Sequence, residues 1–309
     1  GGTFSFVQRE SGLQDAFAQC IGGLLSVVAQ DVQLTVSCSS SDVSINKIHA
    51  GSYSSSILEN GRHGIIKLGD LYAEEERHIL VEVKLPVCLQ PWNGEPMPLI
   101  QAGCMYKDPI TQEINQNIAE DLSILRPEAL LRGEDQVPSL QVDRQRNRFN
   151  VADAISKAKS MADEGRIEAA QEHLQRAQEA LKSSMSARSG DQLCNALELE
   201  LNEIQGRMAS RQVYETLGRA YILSAQSSHM RQRATTRGDA QDGQNHDYQT
   251  SSMVGLVHQS QTLSSSSTAL AFTPGAFPRG AIRVGPQHQS PRNPSTESQS
   301  PQGSNVKKH

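Results

Sequence analysis

Five cysteines, nine histidines and one dense run of charge are the side chains in this 309-residue chain whose types suit chemistry. A thiol nucleophile needs a base within hydrogen-bond reach and a setting that favours the thiolate. Cys88 or Cys104 with His63 or His78 is the pairing that a fold could assemble, since such groups meet in space and not along the chain. No spacing selects it. Cys20, Cys38, Cys88, Cys104 and Cys194 contain no Cys-x-x-Cys pair, and no His-x-x-x-His occurs, so zinc has no local ligand pattern. Their odd number argues against a secreted disulfide scaffold and for reduced, partly buried thiols. Glu74-Glu75-Glu76-Arg77-His78 is the densest charged cluster. Two carboxylates working as acid and base must face one another across a cleft. Consecutive residues of a hairpin point to alternate sides, so the run reads as a solvated turn and His78 as a surface or supporting residue.

Other motifs are equally bare. There is no Walker pattern, no dinucleotide fingerprint and no Gly-x-Ser-x-Gly elbow; Gly61-Arg62-His63-Gly64 is a turn. Arg144, Arg146 and Arg148, interleaved with Asn147 and Phe149, suit phosphate but read as a solvated linker. Gln205, Arg207 and Arg211 read as a polar helix face, and Arg231, Arg233 and Arg237 as the margin of a tail. Ser290-Pro291 and Ser300-Pro301 are two-residue matches to proline-directed phosphorylation sites. No catalytic, cofactor-binding or metal-binding residue is assigned, and no cofactor is expected for these residues.

Composition bounds the rest. Apolar residues make up 37% and aromatic residues 4%, low for a chain folded throughout. The formal charge of -5 argues against a nucleic-acid partner. No apolar run approaches membrane-spanning length. The opening Gly1-Gly2-Thr3-Phe4 has no charged leader ahead of an apolar run, so it reads as a chain entered partway through a domain, acting in the cytoplasm or nucleus.

The elements that must position these residues follow from periodicity. Thr3 to Val7 alternate as a short strand. Ser11 to Val28 reads as a helix with Leu13, Phe17, Ile21, Leu24 and Val28 along one face, a stripe that needs a cover. Strand then helix suggests the end of an α/β domain, residues 1–30. Val32, Leu34, Val36 and Cys38, then Ile79, Val81, Val83 and Leu85, alternate as strands of an antiparallel sandwich over residues 31–145. Residues 146–231 read as a helical hairpin plus one long helix from Gln192 to Ser224, whose stripe suits self-association. Residues 232–309 are rich in Ser, Gln, Thr, Pro and Gly and read as a mostly disordered, weakly basic tail. Within it Met253-Val254-Leu256-Val257 is either a docking segment or a helix packed on the body. The fold class expected is α+β.

These segments resemble a plant protein family with a RING zinc finger, a von Willebrand factor type A domain and a C-terminal extension. The resemblance rests on Gly1 to Phe6, on LQDAFAQCIGGLLSVVAQ from Leu13, on GDLYAEEERHILVEVKLP from Gly69, on SSHMRQRATTRG from Ser227 and on YQTSSMVGLVHQSQ from Tyr248. It implies that residues 1–30 are the last strand and helix of the von Willebrand A domain, followed by a β domain and a helical extension. The family's zinc and magnesium belong to the RING and to an Asp-x-Ser-x-Ser loop; neither pattern occurs in this sequence, and Ser39-Ser40-Ser41-Asp42 has the wrong order. The resemblance thus implies ubiquitin-ligase activity for a full-length protein and, for these residues, a non-catalytic scaffold holding protein partners, either ubiquitination substrates or a second copy. A structural homo-oligomerisation module and a cryptic cysteine-dependent enzyme are the alternatives.

Overall fold

A computed structural model describes residues 2–87, 94–126, 138–238 and 248–269, the side chains of Ser11 and of 264–269 excepted. Gly1–Thr268 form one unit; Ala269–His309, a second, lie almost wholly outside the described residues.

The first helix, α1 (Ser11–Leu25), is shorter than its spacing suggests. Val28 fits the helical repeat, but Ser26 ends the helix and Val28 lies in β1 (Val27–Cys38). Seven more strands follow: β2 (Ser44–His49), β3 (Ser54–Leu58), β4 (His63–Tyr72), β5 (Leu80–Lys84), β6 (Met97–Lys107), β7 (Ile114–Ile118) and β8 (Leu122–Ile124). The main sheet runs β3-β4-β1-β6-β7, with β8 also on β6, and β2 pairs β5 in a second sheet. All these ladders are antiparallel. Alternation sends Val36, Cys38, Ile66 and Leu68 inward, where Val43 and, from the small sheet, Ile45, Val81 and Val83 meet them. The expected antiparallel, two-sheet β region is present.

The helices are α2 (Leu140–Asp163), α3 (Ile167–Ser183), α4 (Met185–Arg188), α5 (Gln192–Arg207), α6 (Arg211–Val213) and α7 (Arg219–Arg231), with a π-helical turn over Tyr214–Gly218. Gly165, at φ +80°, turns the chain between α2 and α3. Ile155, Ala158, Ala170, Leu174, Leu197, Leu201, Ile204 and Ile222 fill one core. The single long helix expected from Gln192 to Ser224 is instead broken at Met208–Ser210, where the Ser210 hydroxyl caps the Val213 N–H. Leu197, Leu201, Ile204, Met208 and Ile222 of its stripe face this core, while Val213 is 41% exposed.

The tail begins later than residue 232. Phe6 N–H donates to the Thr236 carbonyl and Gly238 N–H to the Phe6 carbonyl, each at 2.8 Å, a parallel bridge between the N-terminal segment and residues 236–238. A last helix, α8 (Ser251–Ala269), lies antiparallel to α1: Gln14 Nε2 donates to the Ser260 carbonyl at 3.1 Å, and Gln261 Nε2 to Asp15 at 2.8 Å. Met253 is buried against Tyr72. The apolar island is therefore a helix packed on the body.

Candidate protein-interaction surface

The charged run on the loop before β5 obeys the alternation but is no solvated turn. Glu74, Glu76 and His78 face out. Glu75 and Arg77 are 2% and 3% exposed and pair at 2.8 Å. Arg233 grips both Glu75 oxygens at 2.7 Å and lies 3.8 Å above the Tyr72 ring. Arg77 Nε donates to Tyr53 Oη at 2.8 Å, and that hydroxyl donates to the Arg231 carbonyl at 2.5 Å. Burial pushes the Glu75 carboxyl up, but the Arg233 hydrogen bonds, the Arg77 charge and the Tyr72 N–H together hold it below its ordinary value. The backbone of His78 is clasped by the Gln232 amide, which accepts from its N–H at 2.8 Å and donates to its carbonyl at 3.0 Å.

A second buried ionic group sits behind the first. Glu200 of α5 receives His229 Nε2 at 2.5 Å and Arg237 on its other oxygen. Burial acts to raise its pKa, and the His229 and Arg237 charges and hydrogen bonds overcome this and bring it down to about 2. Arg148 is likewise buried, not part of a solvated linker: it donates to the carbonyls of His229 and His78, each at 3.2 Å. Beside it Asn147 is buried, and Phe149 meets His49 edge-on at 4.3 Å. Arg144 pairs with Asp191 at 3.5 Å and Arg146 is exposed. On the polar helix face, Arg207 pairs with Glu203 and Arg211 with Glu215, within one helical turn. The arginines read as the margin of a tail thus join the β region to the helices. Sequence reasoning missed them because each partner is remote: 158 residues separate Glu75 and Arg233.

Among the described residues, Cys104 and His63 do not come together. Ser37 and Leu34 of β1 are three residues apart, hence on opposite sheet faces; His63 stands across from Ser37 and Cys104 across from Leu34. His63 and Cys104 therefore lie on opposite faces, and burial pushes the Cys104 thiol up. Cys88, Ser290 and Ser300 lie outside the described residues. A constellation the sequence did not suggest surrounds Cys194: Asp143 accepts from the Ser186 N–H and hydroxyl, and Ser186 Oγ lies 3.3 Å from Cys194 Sγ. It contains no imidazole, and burial raises the thiol pKa. It holds α4 against α2. Among the described residues, no three His, Cys, Asp or Glu side chains gather to hold a metal ion.

One exposed surface is apolar. Leu13, Phe17, Ile21, Leu24, Leu25 and Val28 are between 47% and 76% exposed. The opposite, small-residue face of α1 is the docked one. A Cβ on Gly22 would lie 2.7 Å from the Ser252 carbonyl, and one on Gly23 would collide with the Tyr72 ring. Asp15 is the single charged residue of α1, and α8 has no Asp, Glu, Lys or Arg. The stripe expected to need a cover is present, turned outward.

The family described as VWA / Hh protein intein-like matches residues 191–262, from the Asp191 cap of α5 into α8 and across Glu200, His229, Arg233 and Arg237. The E3 ubiquitin-protein ligase WAV3 of Arabidopsis thaliana is 30% identical over 205 residues, 66% of this chain and 26% of that protein. This chain is therefore similar to a plant E3 ubiquitin-protein ligase and, across its helical half, to the VWA / Hh protein intein-like family. The Arabidopsis E3 ubiquitin-protein ligase WAVH1 is also 30% identical, over 213 residues, and the chain spans 30% of it. Among solved structures, a von Willebrand factor type A protein from Catenulispora acidiphila has 14% identity and a TM-score of 0.48, covering 67% of this chain and 45% of that one. The chain thus spans about a quarter to a third of the length of these ligase relatives. No helix among the described residues is long and apolar enough to cross a membrane.

Proposed function

We propose that this chain is a non-catalytic, partner-holding module of a RING-type ubiquitin ligase. The observation that carries this reading is α1: one face is clamped by Tyr72 and α8, while the other offers five large apolar side chains on a nearly uncharged helix. Residues 1–30 act as the closing strand and helix of a von Willebrand A-like domain, whose sheet covers the stripe. The parallel bridge of Phe6 with Arg237 supports this placement, although the expected strand over Thr3 to Val7 is reduced to that one bridge. The buried ionic groups hold the β region and the helices as one body, so that a bound partner keeps a fixed orientation towards the RING and its ubiquitin carrier. The exposed Cys20 and the buried Cys38 and Cys194 are free thiols, in keeping with an intracellular setting.

A reaction with activating enzyme, ubiquitin carrier, ubiquitin and this chain should form no ubiquitin chains above background. Robust ligation by the chain alone would overturn the reading.

A further inference from the structure

The main sheet has two outer strands, and they differ. β3 lies against β2, while no strand among the described residues pairs the outer side of β7. β7 is Ile-Asn-Gln-Asn-Ile, without charge or proline, and it keeps an unbroken register with β6 from Gly103↔Ile118 to Lys107↔Ile114. Exposed edges are normally blunted by lysine, proline or a bulge; β7 has none of these.

The hydrogen-bond phase shows which groups face outward. Asp108 N–H donates to the Glu113 carbonyl and Ala119 N–H to the Ala102 carbonyl, each between directly opposed residues of this ladder. Bonded and non-bonded pairs alternate in antiparallel strands. Residues 113, 115, 117 and 119 therefore turn their backbone groups to β6, and Ile114, Gln116 and Ile118 turn theirs to the open edge. Side chains of these same three residues share one face, on which Ile114 is 72% and Ile118 61% exposed. Acidic residues stand at both ends: Asp108 and Glu113 at one, Glu120 and Asp121 at the other. The Asp108 carboxylate is kept ionised by the N–H groups of Thr111 and Ile110, which lower its pKa.

We propose that the outer edge of β7 binds an extended peptide of a partner protein by strand addition. The main chain of Ile114, Gln116 and Ile118 supplies the hydrogen bonds. The peptide has alternating aliphatic residues that cover Ile114 and Ile118, and basic residues at both ends that meet the acidic groups. A strand of this length takes about five peptide residues at ~3.4 Å each. Binding of this kind is a property of the chain itself and is read without any ligase reaction.

The test is fluorescence anisotropy with the full chain and a labelled seven-residue peptide, alternating valine and threonine between terminal lysines. Gln116→Pro removes one outward N–H and no bond to β6, a position where an edge strand accepts proline. It should weaken binding about tenfold or more, with Gln116→Ala within about twofold of the native chain. Exchanging the terminal lysines for glutamates should weaken binding severalfold at low salt, and less at high salt. Amide exchange should show β6 unchanged in Gln116→Pro, which separates lost docking from lost folding. Equal binding by Gln116→Pro and the native chain would overturn the proposal, as would no binding by the folded native chain. A concentration-dependent dimer that Gln116→Pro abolishes, without peptide binding, would make a second copy the occupant and also overturn it.

Discussion

Helices α1 and α3 carry the same kind of apolar ridge and meet opposite fates. Ile167, Ala170, Leu174 and Leu181 of α3 are at most 5% exposed, whereas Leu13, Phe17, Ile21 and Leu24 of α1 are at least 47% exposed. The difference lies in what each helix can approach. α3 meets α2 and α5, which offer matching rows. α1 meets Tyr72 and Met253 through Gly22 and Gly23, whose missing Cβ atoms allow close approach on the small face alone. A ridge therefore establishes that a face is apolar, and packing on the far side decides whether it is covered.

The largest effect should come from the buried charges that hold the body on which both helices rest. Glu200→Ala leaves His229 and Arg237 buried without their carboxylate. Urea unfolding should show a loss of about 3–5 kcal/mol.

The contrast between the two ridges comes next. Leu174→Ala should cost about 2–5 kcal/mol. Leu24→Ala on α1 should stay within about 0.5 kcal/mol, since it removes exposed surface. Equal losses in paired denaturant titrations would break the comparison.

Gly22→Val places side-chain atoms into the α8 backbone, and overpacking of this kind costs about 1–3 kcal/mol. Amide exchange should quicken through α8 while the core of α2 and α5 keeps its protection. No change in α8 would mean that the small face of α1 is not its docked face.

The same buried carboxylates should also set the acid limb. Glu75 and Glu200 both have folded pKa values below the ordinary 4.5, that of Glu200 about 2. A depressed folded pKa adds stability that is fully present above the unfolded value and is lost as pH falls through the folded one. Stability should therefore decline from about pH 4.5 towards pH 2. Glu200→Gln should flatten that decline in pH-dependent unfolding; an unchanged slope would remove Glu200 from the account.

Some of this was legible in the sequence. Ile79, Val81, Val83 and Leu85 alternate with a period of two, and β5 lies there, because a half-buried sheet imposes that period. The core ridges of α2 and α3 were legible for the same reason at helical spacing. The break at Met208–Ser210 was not, because the apolar repeat continues through it and a serine cap is a weak local signal. Val28 misled, since a valine at helical spacing is equally a strand residue. Residues 232–238 and 248–262 looked unfolded by composition. Their order comes from ion pairs such as Arg233 with Glu75 and Arg237 with Glu200, which no local window contains. That Cys104 and His63 do not pair needed the sheet register, which puts them on opposite faces.

Hydroxyl-radical footprinting of the intact chain, read residue by residue by mass spectrometry, tests the orientation of α1 most directly. Methionine oxidises readily when exposed, so its protection is a stringent signal. The account predicts rapid modification of Phe17 and Leu24, with Met253 and Met208 slow. A monomer in which Phe17 and Leu24 are protected and Met253 is rapidly oxidised would contradict it, showing α1 docked by its large apolar face and α8 released.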